Sequence, residues 1–177
     1  MCYTKTANHF FILCMKKTLI RHILVHLNER LSILLSAANN AHLAAIDEQS
    51  IAETQYDTLA IEASYLAEGQ SKRVTDIKKA IKDFEQLLDS LNQVESSSTT
   101  RVKLGSIIQL AQDKKMRNYF FIAPSAAGYR CTIEENNFTV ITPQSPIGKA
   151  LLNKTIKDEI LIALPKTQRI DEIIAIK

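Results

Sequence analysis

The chain has 177 residues, enough for one ordinary domain or two small ones, and 46% of them are hydrophobic, enough for a packed core. A formal charge of +3 is too small to mark a nucleic-acid binder by itself. Cys2, Cys14 and Cys131 lie scattered without CxxC spacing, which argues against a disulfide framework or a zinc site and for a reducing, cytoplasmic setting.

The chain opens MCYTKTANHFFILCM. The apolar run from His9 to Met15 is too short to span a membrane. The basic pair Lys16-Lys17 follows that run, whereas a signal peptide carries its cations in front. Residues 1–16 are therefore set apart as a leader without an assigned role and without a membrane anchor. The alternative is a hydrophobic first turn packed on the protein.

A heptad seam follows: Ile20, Leu24, Leu27, Leu31, Leu34, Ala38, Ala41 and Ala45, spaced four and three in turn. A second seam runs Ala60, Ala63, Ala67, Gln70, Val74, Ile77, Ile81, Phe84, Leu88 and Leu91. Folded antiparallel, Ala45 meets Ala60, Leu31 meets Val74, Leu27 meets Ile77 and Ile20 meets Phe84. The paired numbers add to 104 or 105 along the whole length, so one register serves every pair. The spacing predicts an antiparallel coiled-coil hairpin over 17–93, with a loop from about Glu48 to Tyr56, projecting on the order of 50 Å.

Charge is segregated along this hairpin. No Lys or Arg stands between Leu31 and Ser71, a window holding Asp47, Glu48, Glu53, Asp57, Glu62 and Glu68. The base carries Lys16, Lys17, Arg21, Arg30, Lys72, Arg73, Lys78, Lys79 and Lys82. An acidic end suits a cation, a metal or a basic wall and repels a phosphate backbone, so direct binding to duplex DNA is not expected. His42 and Tyr65, beside the seam, are read as solvated and packing residues.

Residues 94–100 are polar and Ser/Thr-rich, the composition of a linker. From 101 to 177 the period shortens. RVKLGSIIQL, MRNYFFIAP, YRCTI, NFTVIT, DEILIAL and IDEIIAIK read as six strands of a small antiparallel sheet. Between the fourth and the fifth of these, SPIGKALLN reads as one short helix, with Ser145 as N-cap, Pro146 at the first helical position and Asn153 as the left-handed residue that ends it. The fold class is thus α+β.

The stretch SPIGKALLNKTIKDE closely resembles the signature of the C-terminal domain of the GreA/GreB transcript-cleavage factor family, through Ser145, Pro146, Leu151, Lys154, Asp158 and Glu159. The order of a helical hairpin, a linker and a sheet resembles that family too, as does the segment around Ala63, Tyr65 and Ala67. The resemblance implies an FKBP-like sheet domain that docks on RNA polymerase, with Gln144, Ser145, Pro146 and Ile147 at the contact. It also implies a hairpin that enters the polymerase secondary channel to promote cleavage of backtracked RNA. The protein would be no enzyme by itself, a monomer, and would bind no cofactor stably; its end carboxylates would share a Mg²⁺ with the polymerase.

By that resemblance Asp57 is the main ligand, with Glu62 or Glu53 as its partner. The sequence departs from the family at this place. Ile61 stands where the family's second acid falls, with Glu62 beside it, and Gln144 stands where one branch has Asp. The alternative is therefore a channel binder without cleavage activity that competes with other channel-binding factors. A prolyl isomerase and a coiled-coil adaptor are the remaining readings; fold alone warrants neither.

Overall fold

The computed structural model describes residues 3–48, 57–93, 100–113, 117–163 and 168–177. Helix α1 spans Tyr3–Glu48 and α2 spans Asp57–Gln93. No proline interrupts either helix, and the ends at Glu48 and Asp57 flank the expected loop, which itself lies outside the described residues. Helix α1 begins at Tyr3 and passes without a break through the segment set apart as a leader; Met15 is buried.

The chain divides into two compact units. One is Leu24–Lys82, which takes the C-terminal half of α1 and the N-terminal part of α2. Leu27, Ile77 and Ala80 are buried there, Leu24 and Ile81 are half-buried, and Leu31, Leu34, Ala38, Gln70 and Val74 are half-buried between exposed neighbours. The heptad seams are thus the covered faces. Gln70 interrupts them, and its Oε1 is enclosed with no hydrogen-bond partner among the described residues. The register pairs stay an expectation, as do the seam alanines from 41 to 67, whose side chains lie outside the description.

The other unit is Met1–Ile23 with Asp83–Lys177. Its strands are β1 (Ile107–Leu110), β2 (Asn118–Ile122), β3 (Arg130–Ile133), β4 (Asn136–Ile141), β5 (Glu159–Ala163) and β6 (Gln168–Ile176). They form one sheet in the order β3-β4-β2-β1-β6-β5. Four neighbouring pairs are antiparallel, but β2 and β4 run parallel, with Phe121 opposite Val140 and Ile122 opposite Ile141. This corrects the expectation of a wholly antiparallel sheet. The two-residue turn Glu134–Glu135 forces β3 and β4 to be antiparallel neighbours. Because β4 then takes the place beside β2, with β3 outside it, β4 must run the same way as β2.

That turn has positive φ at both central residues, 48° at Glu134 and 65° at Glu135, the pattern of a type I′ hairpin that favours Asn and Gly. Arg117 reaches Glu135 at 3.1 Å, an exposed ion pair that contributes little. Replacing Glu134 by Asn and Glu135 by Gly is expected to stabilise the protein by about 1 kcal/mol. Thermal melting followed by circular dichroism checks this; an unchanged or lower midpoint contradicts it.

A second correction concerns 101–106, expected as strand. Gly105 has φ 81°, and Ser106 N–H donates to the Lys103 carbonyl at 3.0 Å, so the chain turns before β1 begins. A methyl group added at Gly105 would lie 3.3 Å from Leu87 Cδ1, so the turn sits directly on α2. Strand β1 is buried on both faces. Ile108 and Leu110 join Ile122, Ile141, Leu151, Ile160, Ile162 and Ile173 in one core. On the opposite face Tyr119 stacks on Phe138 with centroids 5.5 Å apart, and Lys177 Nζ lies 4.9 Å above the Tyr119 ring. No helix among the described residues is long and apolar enough to cross a membrane.

Candidate functional site

The site begins where β4 ends. Helix α3 (Pro146–Leu151) starts at Ser145, whose backbone is extended and whose Oγ accepts from Gly148 N–H at 3.1 Å. The same hydroxyl donates to the Thr142 carbonyl at 2.7 Å. One side chain therefore caps the helix and ties it to the end of β4. Pro146 follows, with no N–H to leave unpaired. Leu151 is fully buried in the core, and Ile147, Ala150 and Leu152 pack against it at the edge.

Gly148 is a position whose importance the sequence hid. A Cβ there would collide with the Thr142 carbonyl and would lie 2.9 Å from Ser145 Oγ. The helix can sit this close to β4 only because residue 148 has no side chain. Inside PIGKAL, that glycine reads as an ordinary, slightly unfavourable helix residue.

The exit from α3 is equally specified. Asn153 has φ 64°, as expected of the residue that ends the helix, and its N–H donates to the Val102 carbonyl at 2.9 Å. Arg101 Nη1 donates to the Asn153 carbonyl at 3.1 Å, and Val102 N–H to the Lys154 carbonyl at 2.8 Å. The chain then turns through Thr155–Asp158, where Thr155 N–H donates to Asp158 Oδ2 at 2.6 Å. That bond, with Lys154 and Arg101 nearby, holds the Asp158 carboxyl below its ordinary range. The shared signature residues Ser145, Leu151 and Asp158 thus shape this element from within. Gln144 and Pro146 are its exposed members, with Ser145 and Ile147 half-buried beside them, so the four residues expected at a contact are brought together on one corner.

The acidic end is described in its backbone. Asp57 is the first residue of α2, and Glu62 lies five residues along the same helix. Five residues turn a helix through about 140°, so positions 57 and 62 do not share a face. Glu53 lies outside the described residues. A single carboxylate at a helix start is locally favoured by the helix dipole. Mg²⁺ is commonly held through one or two carboxylates with waters and phosphates. Among the described residues no group of three or more His, Cys, Asp or Glu could hold a metal.

The base holds one anomalous cation. Half-buried Lys16 has its pKa lowered from 10.5 to about 8, first by burial and then by repulsion from Lys103. The unfolded chain binds this proton more tightly, so folding carries the full penalty below pH 8 and loses it as pH rises from about 8 to 10.5. Lys16→Met is expected to stabilise the protein at pH 7 by roughly 1–3 kcal/mol and to bring no gain near pH 10.5. Chemical denaturation of both proteins across that range checks it; a difference independent of pH contradicts it.

Residues 97–177 match the family model described as transcription elongation factor GreA/GreB, C-terminal. Among solved structures, the chain is similar to the transcription factor Gfh1, at 20% identity over 86% of this chain and 92% of that one, with a TM-score of 0.34. It is similar to GreA factor homolog 1 (Gfh1) of Thermus thermophilus at 21% identity, covering 87% and 94%, TM-score 0.34. For Thermus aquaticus Gfh1 the identity is 21%, the coverage 85% and 91%, and the TM-score 0.35. No curated protein matches the chain.

Proposed function

From a chain that carries a GreA/GreB-family C-terminal domain over residues 97–177, we propose a transcription elongation regulator that docks on RNA polymerase. Its sheet domain makes the contact through the corner formed by Gln144, Ser145, Pro146 and Ile147. Its acidic helical end, which has no Lys or Arg between Leu31 and Ser71, enters the secondary channel. That segregation of charge is the observation that carries the proposal. Negative charge tolerates a cationic catalytic centre and is repelled from the phosphates of the transcript.

In the first reading the protein promotes cleavage of backtracked RNA, and the polymerase supplies the catalytic machinery. Asp57 is then the principal ligand of a Mg²⁺ shared with the polymerase, which would activate a water and stabilise the departing oxygen. Asp57, the first residue of α2, brings a carboxylate, the hard oxygen chemistry that Mg²⁺ takes, and the role needs no stable binding of the ion. A second reading, channel binding without cleavage, is favoured by one observation: the helical phase separates Glu62 from Asp57.

Docking is tested at Pro146, which is exposed and makes no hydrogen bond through its nitrogen. Pro146→Glu is expected to weaken binding to core RNA polymerase by about tenfold or more, as loss of a central contact does. Circular dichroism establishes that the variant folds. Unchanged binding of the folded variant would place the docking surface elsewhere.

A further inference from the structure

We propose that this chain self-associates, the exposed face of α1 near residue 10 in one copy covering the β5–β6 surface of a second copy. Leu161 and Ile170 are direct cross-strand partners, yet they are 52% and 61% exposed. Glu159 and Glu172 form the cross-strand pair two residues along on the same face, placing like charges opposite one another. An exposed apolar pair and an opposed carboxylate pair are both unfavourable in an isolated sheet. Both are relieved by a partner that brings apolar side chains and cations together.

This chain carries such a partner on its own α1. Phe10 and Phe11 are 73% and 52% exposed. Cys14, Lys17 and Arg21 follow Phe10 at four, seven and eleven residues, which places all four on one side of the helix. Cys14 and Arg21 are exposed and Lys17 is half-buried, so the stripe runs from aromatic to cationic. The two surfaces match in kind, apolar to apolar and cation to carboxylate. Both are open in the single chain, so neither covers the other within it. A two-fold arrangement makes each contact twice and closes the assembly. This departs from the monomer expected on the sequence, and it does not depend on polymerase binding.

The test is sedimentation velocity of the full chain from low to high micromolar concentration. The expected result is a species of twice the 19.9 kDa chain mass, weakened by salt. Ile170→Ser and Phe10→Ser are each expected to raise the dissociation constant about tenfold. Glu172→Lys should do the same, and adding Arg21→Glu to it should restore association, because the charge pair is exchanged rather than lost. Circular dichroism confirms the fold of each variant. A chain that sediments as a monomer at every concentration overturns the proposal. So does a dimer indifferent to Ile170 and Phe10, or a charge exchange that fails to restore association.

Discussion

Asp57→Asn is expected to lower stimulated cleavage of backtracked RNA by about 100-fold or more, while binding to polymerase stays within about twofold of the parent. The substitution keeps the shape of the side chain and its hydrogen-bonding reach at the start of α2, so the helix is retained. Only the charge is lost, and an uncharged amide is a poor ligand for Mg²⁺. Glu62→Gln should cost far less, because its position lies about 140° around the helix. The comparison is made with a stalled elongation complex, measuring release of short RNA with each variant. Equal losses at the two positions would show that the acids act together despite the helical phase. If the parent protein releases no RNA yet displaces an active cleavage factor, the second reading of the function holds.

The second large effect is structural. Gly148→Val is expected to destabilise the sheet domain by about 3 kcal/mol or more, lowering its melting midpoint by more than about 10 °C. The clash is with a backbone carbonyl, Thr142, which cannot rotate away as a flexible side chain would. Relief requires α3 to lift from the end of β4, which breaks the Ser145 cap and pulls Leu151 from the core. Polymerase binding should fall with it, because the same displacement moves Pro146. Ser145→Ala provides the scale: loss of the cap alone costs about 1 kcal/mol. A Gly148→Val protein that melts like the parent would mean that α3 does not approach β4 as described.

The elements that local chemistry dictates were legible before the structure. Ser145 as cap, Pro146 at the first turn and the left-handed Asn153 each follow from a preference acting within a few residues. The seams on the long helices were legible because a repeat of seven is read directly, and the burial of Leu27 and Ile77 follows it. What escaped depends on neighbours distant in sequence. The parallel pairing of β2 with β4 is decided by which strand takes the place beside β2. The need for glycine at 148 arises from the Thr142 carbonyl lying against the helix. Buried Asp171 gave no sequence signal either. Its carboxylate accepts from Arg169, two residues away on the same strand, at 2.8 Å, and from Gln112 N–H at 3.1 Å, the latter a contact created only when β6 lies beside β1. At the acidic end the composition was legible, and the expected loop to Tyr56 already placed Asp57 at the head of the returning helix, where α2 begins.

The most direct test of the central claim is site-specific photocrosslinking to RNA polymerase from two positions in the full chain. One crosslinker replaces Ala52 in the expected loop, and the other replaces Gln144 beside α3. The account predicts that position 52 crosslinks inside the secondary channel, close to the catalytic centre, and that position 144 crosslinks at the channel's outer rim. Crosslinks from position 144 alone, or crosslinks from position 52 to surfaces outside the channel, would contradict it.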